Sequence, residues 1–524
     1  MKQPEIDQKG TVAVLKKILS FLKSRLFFFG ISILTQIAAL VLGILYLGKY
    51  GLYIYVLFIV MSIATILYIV SKRDNPMYKL AWVIPIALFP LLGWLLYMLA
   101  GRESLARKTR GHYADVCCEI ETLAPQDEAI LQEIGRKDLS IYRQVRYLHN
   151  VSELPIYKNT QTEFLSPGEE FFACLCQELE KAQKFIFMEY FIVQEGTMWD
   201  TILEILVRKA KAGVKVKFMY DDVGSLLTVP WRYRKKLVSL GIDTHVFNKF
   251  RPSVDAFMNY RDHRKITVID GNVGFTGGNN LADEYINGYP KHGHWKDAHL
   301  MLKGDAVWNL SVMFLEMWNF GVGKKLVLDR FEQYRPTETY PTDGYVLPYG
   351  DSPLDDKLVG EMCYMNMIEN AERYISINTP YLILDNEMTT ALSKAALSGV
   401  KVQIITPGVA DKWYVHMVTR YNYKTLVDAG VEIYEYTPGF IHAKTIVVDD
   451  HVGVVGTQNF DFRSFYLHFE CGAFLYETST LADIRRDHLA TMTRCHRITP
   501  EECRNKNGLY RLLQIILNLF APLM

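Results

Sequence analysis

Two histidine–lysine–aspartate triplets with identical spacing carry the chemistry of this chain. In Tyr260-Arg-Asp-His-Arg-Lys-Ile-Thr-Val-Ile-Asp270 a His, any residue, a Lys, four residues and an Asp follow in order, and Gly439-Phe-Ile-His-Ala-Lys-Thr-Ile-Val-Val-Asp449 repeats the skeleton. In each copy six residues separate the Asp from a Gly, and an Asn stands three places on, giving Gly277-Gly-Asn-Asn280 and Gly456-Thr-Gln-Asn459. One His-x-Lys means little. Two copies with matching Gly and Asn partners point to one active site built from two halves.

Side chains two apart share a strand face, so His263 is expected beside Lys265, and His442 beside Lys444. Asp270 and Asp449 stand seven residues beyond their histidines, an odd spacing that predicts a supporting role at a strand end. Two imidazoles and two ammonium groups suit phosphoryl transfer. A neutral His attacks phosphorus and forms a phospho-histidine. The other, protonated, gives its proton to the leaving alcohol and then takes one from the acceptor. Lys265 and Lys444 would hold the non-bridging oxygens, with Asn280 and Asn459 as amide donors. This chemistry needs no metal and no cofactor. His292-Gly-His294 reads as a loop rather than a metal pair. Trp231-Arg-Tyr-Arg-Lys-Lys236 reads either as a contact for anionic headgroups or as a solvated helix face.

The elements that must position these groups alternate. Helical periodicity runs through 126–148, 168–184, 198–212 and 231–240, the last ending at Gly241 as a C-cap glycine would. Strand-like runs cover 185–193, 214–220, 244–247, 265–269 and 273–276. The second half repeats the order: Ser398-Gly-Val-Lys-Val-Gln-Ile-Ile matches Ala212-Gly-Val-Lys-Val-Lys-Phe-Met, and Ala429-Gly-Val-Glu-Ile matches Leu240-Gly-Ile-Asp-Thr. An α/β fold from two duplicated domains follows, at 111–330 and 345–503, with a turn-rich join near 325–345.

At 524 residues and 60.4 kDa the chain has room for more than one domain. A net charge of +1 argues against a nucleic-acid partner. The 50% hydrophobic content is concentrated in residues 1–110, where uncharged stretches at 26–48, 50–71 and 80–101 each reach membrane-spanning length. Basic residues before residue 26, at Lys72-Arg73 and across 102–110 favour a multi-pass cell-membrane protein whose catalytic part faces the cytoplasm. The third stretch contains Pro85, Pro90 and Gly93 and reads as re-entrant or interfacial. Eight scattered cysteines fit reduced thiols on that side. The tail, 509–524, is an apolar amphipathic helix with a narrow stripe of Arg511, Gln514 and Asn518, fit for a membrane interface or for packing back onto the protein.

At these residues the sequence resembles the phospholipase D superfamily, and within it the bacterial cardiolipin synthases. The likeness runs through Lys79-Leu-Ala-Trp, Pro90-Leu-Leu-Gly, Glu189-Tyr-Phe-Ile, both triplets, Trp295-Lys-Asp297, Asn378-Thr-Pro-Tyr-Leu and Phe469-Glu470. It implies two phospholipase D-like α/β/α domains around one pseudo-twofold site, preceded by transmembrane helices. The implied reaction passes a phosphatidyl group from one phosphatidylglycerol to another and releases glycerol; other anionic phospholipids and the bilayer are further implied partners. It also implies that Asp297 and Glu470 orient the histidines, with His263 provisionally the nucleophile and His442 the acid–base. His468 replaces the usual Asn before Phe-Glu, and Gly278 the usual Ser. A membrane-bound hydrolase, or a transferase using phosphatidylethanolamine or serine, shares the module. A scaffold would have no need of two intact triplets.

Overall fold

The computed structural model describes residues 51–72, 75–101, 104–117, 123–250, 259–323, 331–355 and 357–523. The hydrophobic stretch 26–48, the basic residues before it, Arg73, Arg102 and Cys118 lie outside them. The chain divides into two compact units, Met1–Leu105 with Phe250–Met258, and Ala106–Lys249 with Asn259–Met524.

In the first unit, helix Gly51–Ser71 runs 21 residues without a charge. Counting only residues whose side chains are described, no helix is long and apolar enough to cross a membrane. The stretch 80–101 is not one straight helix. Helices Pro76–Leu88 and Pro90–Leu96 meet at Phe89, whose backbone (φ −131°, ψ 76°) breaks the run ahead of Pro90. The fold-back is tight: a Cβ on Gly93 would lie 2.4 Å from the Pro85 carbonyl oxygen. Ser62 Oγ donates to the Pro90 carbonyl at 2.9 Å, tying the bend to the first helix.

The second unit is built on two sheets. Its first-half strands are β1 Thr160–Leu165, β2 Phe185–Tyr190, β3 Lys215–Asp221, β4 Asp243–Phe247, β5 Arg261–Asp262, β6 Ile266–Ile269, β7 Val273–Gly277, β8 His294–Lys296 and β9 His299–Gly304. The second half supplies β10 Tyr345–Asp351, β11 Tyr374–Asn378, β12 Leu382–Ile383, β13 Lys401–Pro407, β14 Glu432–Tyr436, β15 Gly439–Ile441, β16 Thr445–Val448, β17 Val452–Gly456, β18 Phe460–Asp461, β19 His468–Tyr476 and β20 Cys495–Arg497. One sheet runs β1-β9-β7-β6-β2-β3-β4 and the other β10-β19-β17-β16-β11-β13-β14-β20. Strand for strand, the second repeats the first and adds β20 at its edge. In both, three parallel strands (β2-β3-β4, β11-β13-β14) adjoin an antiparallel set that carries the triplet. All six residues of β2 are buried, as expected where helices cover both faces.

Two short crossovers weld the halves. β5 pairs in parallel with β19 (Arg261 opposite His468), and β15 with β8 (Gly439 opposite His294). The core is shared as well. The helical run 126–148 is two helices, Glu128–Lys137 and Leu139–Ser152, broken at Asp138, whose carboxylate caps the second through the Ser140 and Ile141 amides. Their apolar faces, including Ile134, Val145 and Leu148, join the core of the second half, not the first. The helices at 128–152 therefore precede the first-half sheet in sequence but pack with the second half. The seven described cysteines are unpaired.

Candidate active site

The His-x-Lys parts of the two triplets sit where the chain changes sheets. His263 to Lys265 form the link between β5, paired to the second half, and β6, in the first-half sheet; His442 to Lys444 form the matching link between β15 and β16. The strand expected from Lys265 thus begins one residue later, because these links are pinned from both sides. The His263 amide donates to the Phe469 carbonyl at 2.9 Å and the His442 amide to the Lys296 carbonyl at 2.7 Å. Each histidine is held by the backbone of the opposite half.

The carboxylates cross over in the same way. His263 Nδ1 lies 2.9 Å from both Glu470 oxygens, and His442 Nδ1 lies 2.7 Å from Asp297 Oδ2. Nδ1 so engaged leaves Nε2 of each ring for the cavity. Lys265 donates to the His263 carbonyl; Lys444 donates to the His442 carbonyl and lies 2.7 Å from His442 Nδ1. Both histidines are 7% exposed, and both lysines, Asp297 and Glu470 are buried. A cavity of about 570 Å³ reaches the pair; Phe191, Tyr285, Trp295 and Tyr381 are among its aromatic walls, and Arg261, Lys291, Lys412 and Arg463 its cations.

The two His–carboxylate pairs are not equivalent. Burial raises both acids, but His442 and Lys444 overcome it at Asp297 and bring its pKa down to about 2. At Glu470 burial wins over the opposing Lys265, and its pKa is raised well above the usual range. Burial likewise lowers Lys265 to about 8 and Lys444 to about 7, and brings His442 to about 4 with help from Lys444. His263 is pushed well below its usual value by burial and then by Lys265. A phosphodiester entering this cavity brings the negative charge that favours the protonated lysines and one imidazolium.

The motif aspartates lie outside this cluster. Asp270 accepts from the amides of Gln183, Lys184 and Phe185 at 2.7–2.8 Å, and Asp449 from those of Glu372, Arg373 and Tyr374 at 2.7–2.9 Å. Each adopts a left-handed backbone (φ 53° and 57°) and ties the end of a triplet strand to the start of the central parallel strand. They belong to the motif as anchors rather than reacting groups. The asparagines both line the cavity, yet their amides are partly engaged. Asn280 donates to Tyr285 Oη at 2.7 Å and accepts from the Ile192 amide; Asn459 donates to Asp461, leaving its Oδ1 without a partner.

Thr457 and Gly278 occupy equivalent places in the repeat. Thr457 Oγ1 donates to Glu470, whereas a Cβ on Gly278 would lie 1.8 Å from Asp297 Oδ1. Aligning the two copies of the motif puts these positions opposite each other, but only the structure shows that one supports a carboxylate and the other must leave room for one. His468 also lines the cavity, its ring centroid 5.3 Å from that of His263, with both ring nitrogens lacking a hydrogen-bond partner. Among the described residues, His263, His468 and Glu470 bring ligand atoms within 4.8 Å of one another, a set that zinc accepts. A cation there competes with the His263–Glu470 bond. His292 lines the cavity, while His294, in β8, lies 3.1 Å through Nδ1 from Tyr436 Oη.

Duplicated phospholipase D-like halves meeting at two His-Lys pairs define the class of protein, and the comparisons narrow it. The family described as "Cardiolipin synthase, PLD-like domain" matches residues 175–289 and 364–491, and "Phospholipase_D-nuclease N-terminal" matches 52–102. A cardiolipin synthase of Halalkalibacterium halodurans is 35% identical, covering 86% of this chain and 90% of its own; one from Geobacillus kaustophilus is 34% identical over 88% and 92%. An uncharacterised protein of Streptococcus mutans is 40% identical, over 88% of this chain and its whole length. The phosphatidylserine synthase structure from Haemophilus influenzae shares the fold, with a TM-score of 0.52 at 16% identity, covering 73% of this chain and 98% of its own. The chain belongs to the cardiolipin synthase family of the phospholipase D superfamily, and it is a phosphatidyltransferase.

Proposed function

We propose that the protein is a cardiolipin synthase that moves a phosphatidyl group from one phosphatidylglycerol to the terminal hydroxyl of another, releasing glycerol. The observation that carries this reading is the reciprocal His–carboxylate crossing, which leaves two Nε2 atoms to one cavity, with Lys265 and Lys444 buried against the carbonyls of the same histidines. In the first step His263 Nε2 forms a bond to phosphorus as the P–O bond to glycerol breaks, and His442 gives glycerol its proton. In the second, His442 takes the proton from the acceptor hydroxyl, whose oxygen bonds phosphorus as the P–N bond breaks. Lys265 and Lys444 balance the phosphoryl oxygens.

The unequal pairs support this order of roles. Asp297 stays ionised and opposes the burial and the Lys444 charge that bring His442 to about 4, so a bound phosphodiester anion favours the imidazolium there first. His263, beside a Glu470 raised by burial, is held neutral, as a nucleophile must be. Helix Gly51–Ser71, about 31 Å long at 1.5 Å per residue, matches a bilayer's hydrocarbon core, and with the stretch 26–48 would give a membrane hairpin with the catalytic part on the cytoplasmic side. On this reading the bend at Phe89 keeps 80–101 from crossing. Residues 1–110 would be the membrane region, 111–330 and 345–503 the two phospholipase D-like domains, and 509–524 an amphipathic tail.

Purified protein in phosphatidylglycerol micelles with a chelator, read by lipid mass spectrometry, tests the reaction. Cardiolipin and free glycerol in equal amounts are expected. Phosphatidic acid alone would show that water is the acceptor.

A further inference from the structure

The tail helix is inside out. Gly508–Asn518 buries Gln514, whose Nε2 donates to the Met417 carbonyl at 3.0 Å, and turns Leu509 (74% exposed), Leu512, Leu513, Ile515 and Ile516 to the outside. A helix resting on a water-exposed surface shows the reverse pattern. Its seat matters. Gln514 holds it against helix Trp413–Asp428, whose first turn places Tyr414 and Val415 in the wall of the active-site cavity and leaves Trp413 62% exposed. Beyond it, Ala521–Leu523 packs against helix Phe462–Tyr466, which sends Arg463 into the same wall. The apolar surface therefore runs up to the rim of the cavity.

The first half supplies the matching rim. After β3, the counterpart of β13, the chain lines the cavity at Val223 and then exposes Leu227 (76%) and Trp231 (66%). Trp413 follows β13 in the same way. Exposed cations border both tips: Arg232 and Lys235 after one, Lys412 before the other, with Arg511 on the tail. Tryptophans beside apolar side chains and flanked by cations are the composition of a protein surface that sits at an anionic membrane interface.

We propose that Leu227, Trp231, Trp413 and the outer face of Gly508–Asn518 form one docking surface for an anionic lipid bilayer, with the cavity opening onto the lipid headgroups. The inference rests on the lipid-substrate reading above and adds to it the face through which substrate arrives. A phosphodiester at headgroup depth then reaches the histidines without leaving the interface, which a buried site at a cavity floor requires.

Cysteines introduced singly at Trp231, Trp413 and Leu512 and labelled with an environment-sensitive fluorophore test this in the full-length protein. The protein is reconstituted into phosphatidylglycerol-containing vesicles, with the signal of the unsubstituted protein subtracted. All three labels are expected to shift to the blue and to be quenched by lipids brominated on the upper acyl carbons. A label at Leu397, 74% exposed and lining no part of the cavity, should be quenched only by aqueous iodide. Iodide quenching at the three sites, or a blue shift without lipid quenching, would overturn the proposal, the latter because protein, such as a second copy, covers the face. In a second arm, Leu512→Glu with Ile516→Glu should lower activity on vesicles about tenfold and leave activity on monomeric short-chain phosphatidylglycerol unchanged. Equal activity on both substrates would also overturn it. Lipid quenching without cardiolipin from either substrate would instead refute the assigned reaction and leave the docking surface standing.

Discussion

His442 Nδ1 lies 2.7 Å from Oδ2 of Asp297, a carboxylate supplied by the opposite half of the molecule. Glu470 reaches His263 in the mirror direction. Neither half contains a complete histidine–carboxylate pair, so one active site, not two, is what the duplication builds. Asp297→Asn should leave the ring in place while removing the charge that favours the imidazolium and fixes its tautomer. A loss of about 10²–10⁴-fold in kcat is expected, with an unchanged circular dichroism spectrum. Wild-type kcat would remove Asp297 from the account.

The motif aspartates should behave differently. Asp270→Ala and Asp449→Ala each strand three backbone amides at the start of a central strand. Each is expected to cost about 3 kcal/mol of stability, given the strength of hydrogen bonds to charged groups. The measurement is a melting curve paired with kcat below the transition. A fall in Tm with kcat per folded molecule nearly intact is the anchor's signature; a large kcat loss at unchanged Tm would make these residues catalytic.

Gly278 makes a sharper test of packing. Its missing Cβ is the space that Asp297 Oδ1 occupies. Gly278→Ala should push that carboxylate from His442 and lower kcat, about as Asp297→Asn does. At Thr457, the equivalent position, Thr457→Ala removes one donor to Glu470 and should cost about tenfold or less. If both substitutions were equally mild, the two carboxylates would be equivalent.

How much of this was legible in the sequence divides along one physical line. The triplets, their Gly-Asn partners and the repeat of strand and helix are local spacings, and they are readable because a motif's spacing fixes which side chains share a face. The short pairings of β5 with β19 and β8 with β15 join segments some two hundred and one hundred and fifty residues apart, and no local pattern announces them. They are why the His-Lys pairs fall in links rather than in a strand. Asp297 and Glu470 came from family likeness, since nothing in their spacing ties them to a histidine. The spacing marks Asn280 and Asn459 as amide donors, while the one hydrogen bond each gives to Tyr285 or Asp461 depends on side-chain placement that no spacing shows. At the tail the stripe of Arg511, Gln514 and Asn518 was visible, while the inward turn of Gln514 depends on the Met417 carbonyl, a tertiary contact.

On the proposed roles the lysines set the upper limb of the pH dependence, above that of His442, which burial and Lys444 bring to about 4 in the empty site. In the proposed mechanism both hold phosphate only when protonated, and burial brings Lys444 to about 7 and Lys265 to about 8 in the empty site. Because kcat/KM reports the free enzyme, it should fall as pH rises through about 7 to 8. Bound phosphodiester favours the cations, so kcat should hold to higher pH than kcat/KM. Lys444→Met should lower kcat/KM by about 10²–10³-fold and remove the lower of the two steps. A kcat/KM that rises across this range would contradict the assigned role.

In the proposed mechanism a phosphatidyl group is held covalently on His263 and released through His442. Brief exposure of His442→Ala to phosphatidylglycerol, acid quenching under conditions that preserve P–N bonds, and peptide mass spectrometry measure it directly. The account predicts a phosphatidyl adduct on His263 in His442→Ala and none in His263→Ala. An adduct on His442 in His263→Ala would exchange the two roles, and cardiolipin formed at wild-type rate by either variant would contradict the covalent route.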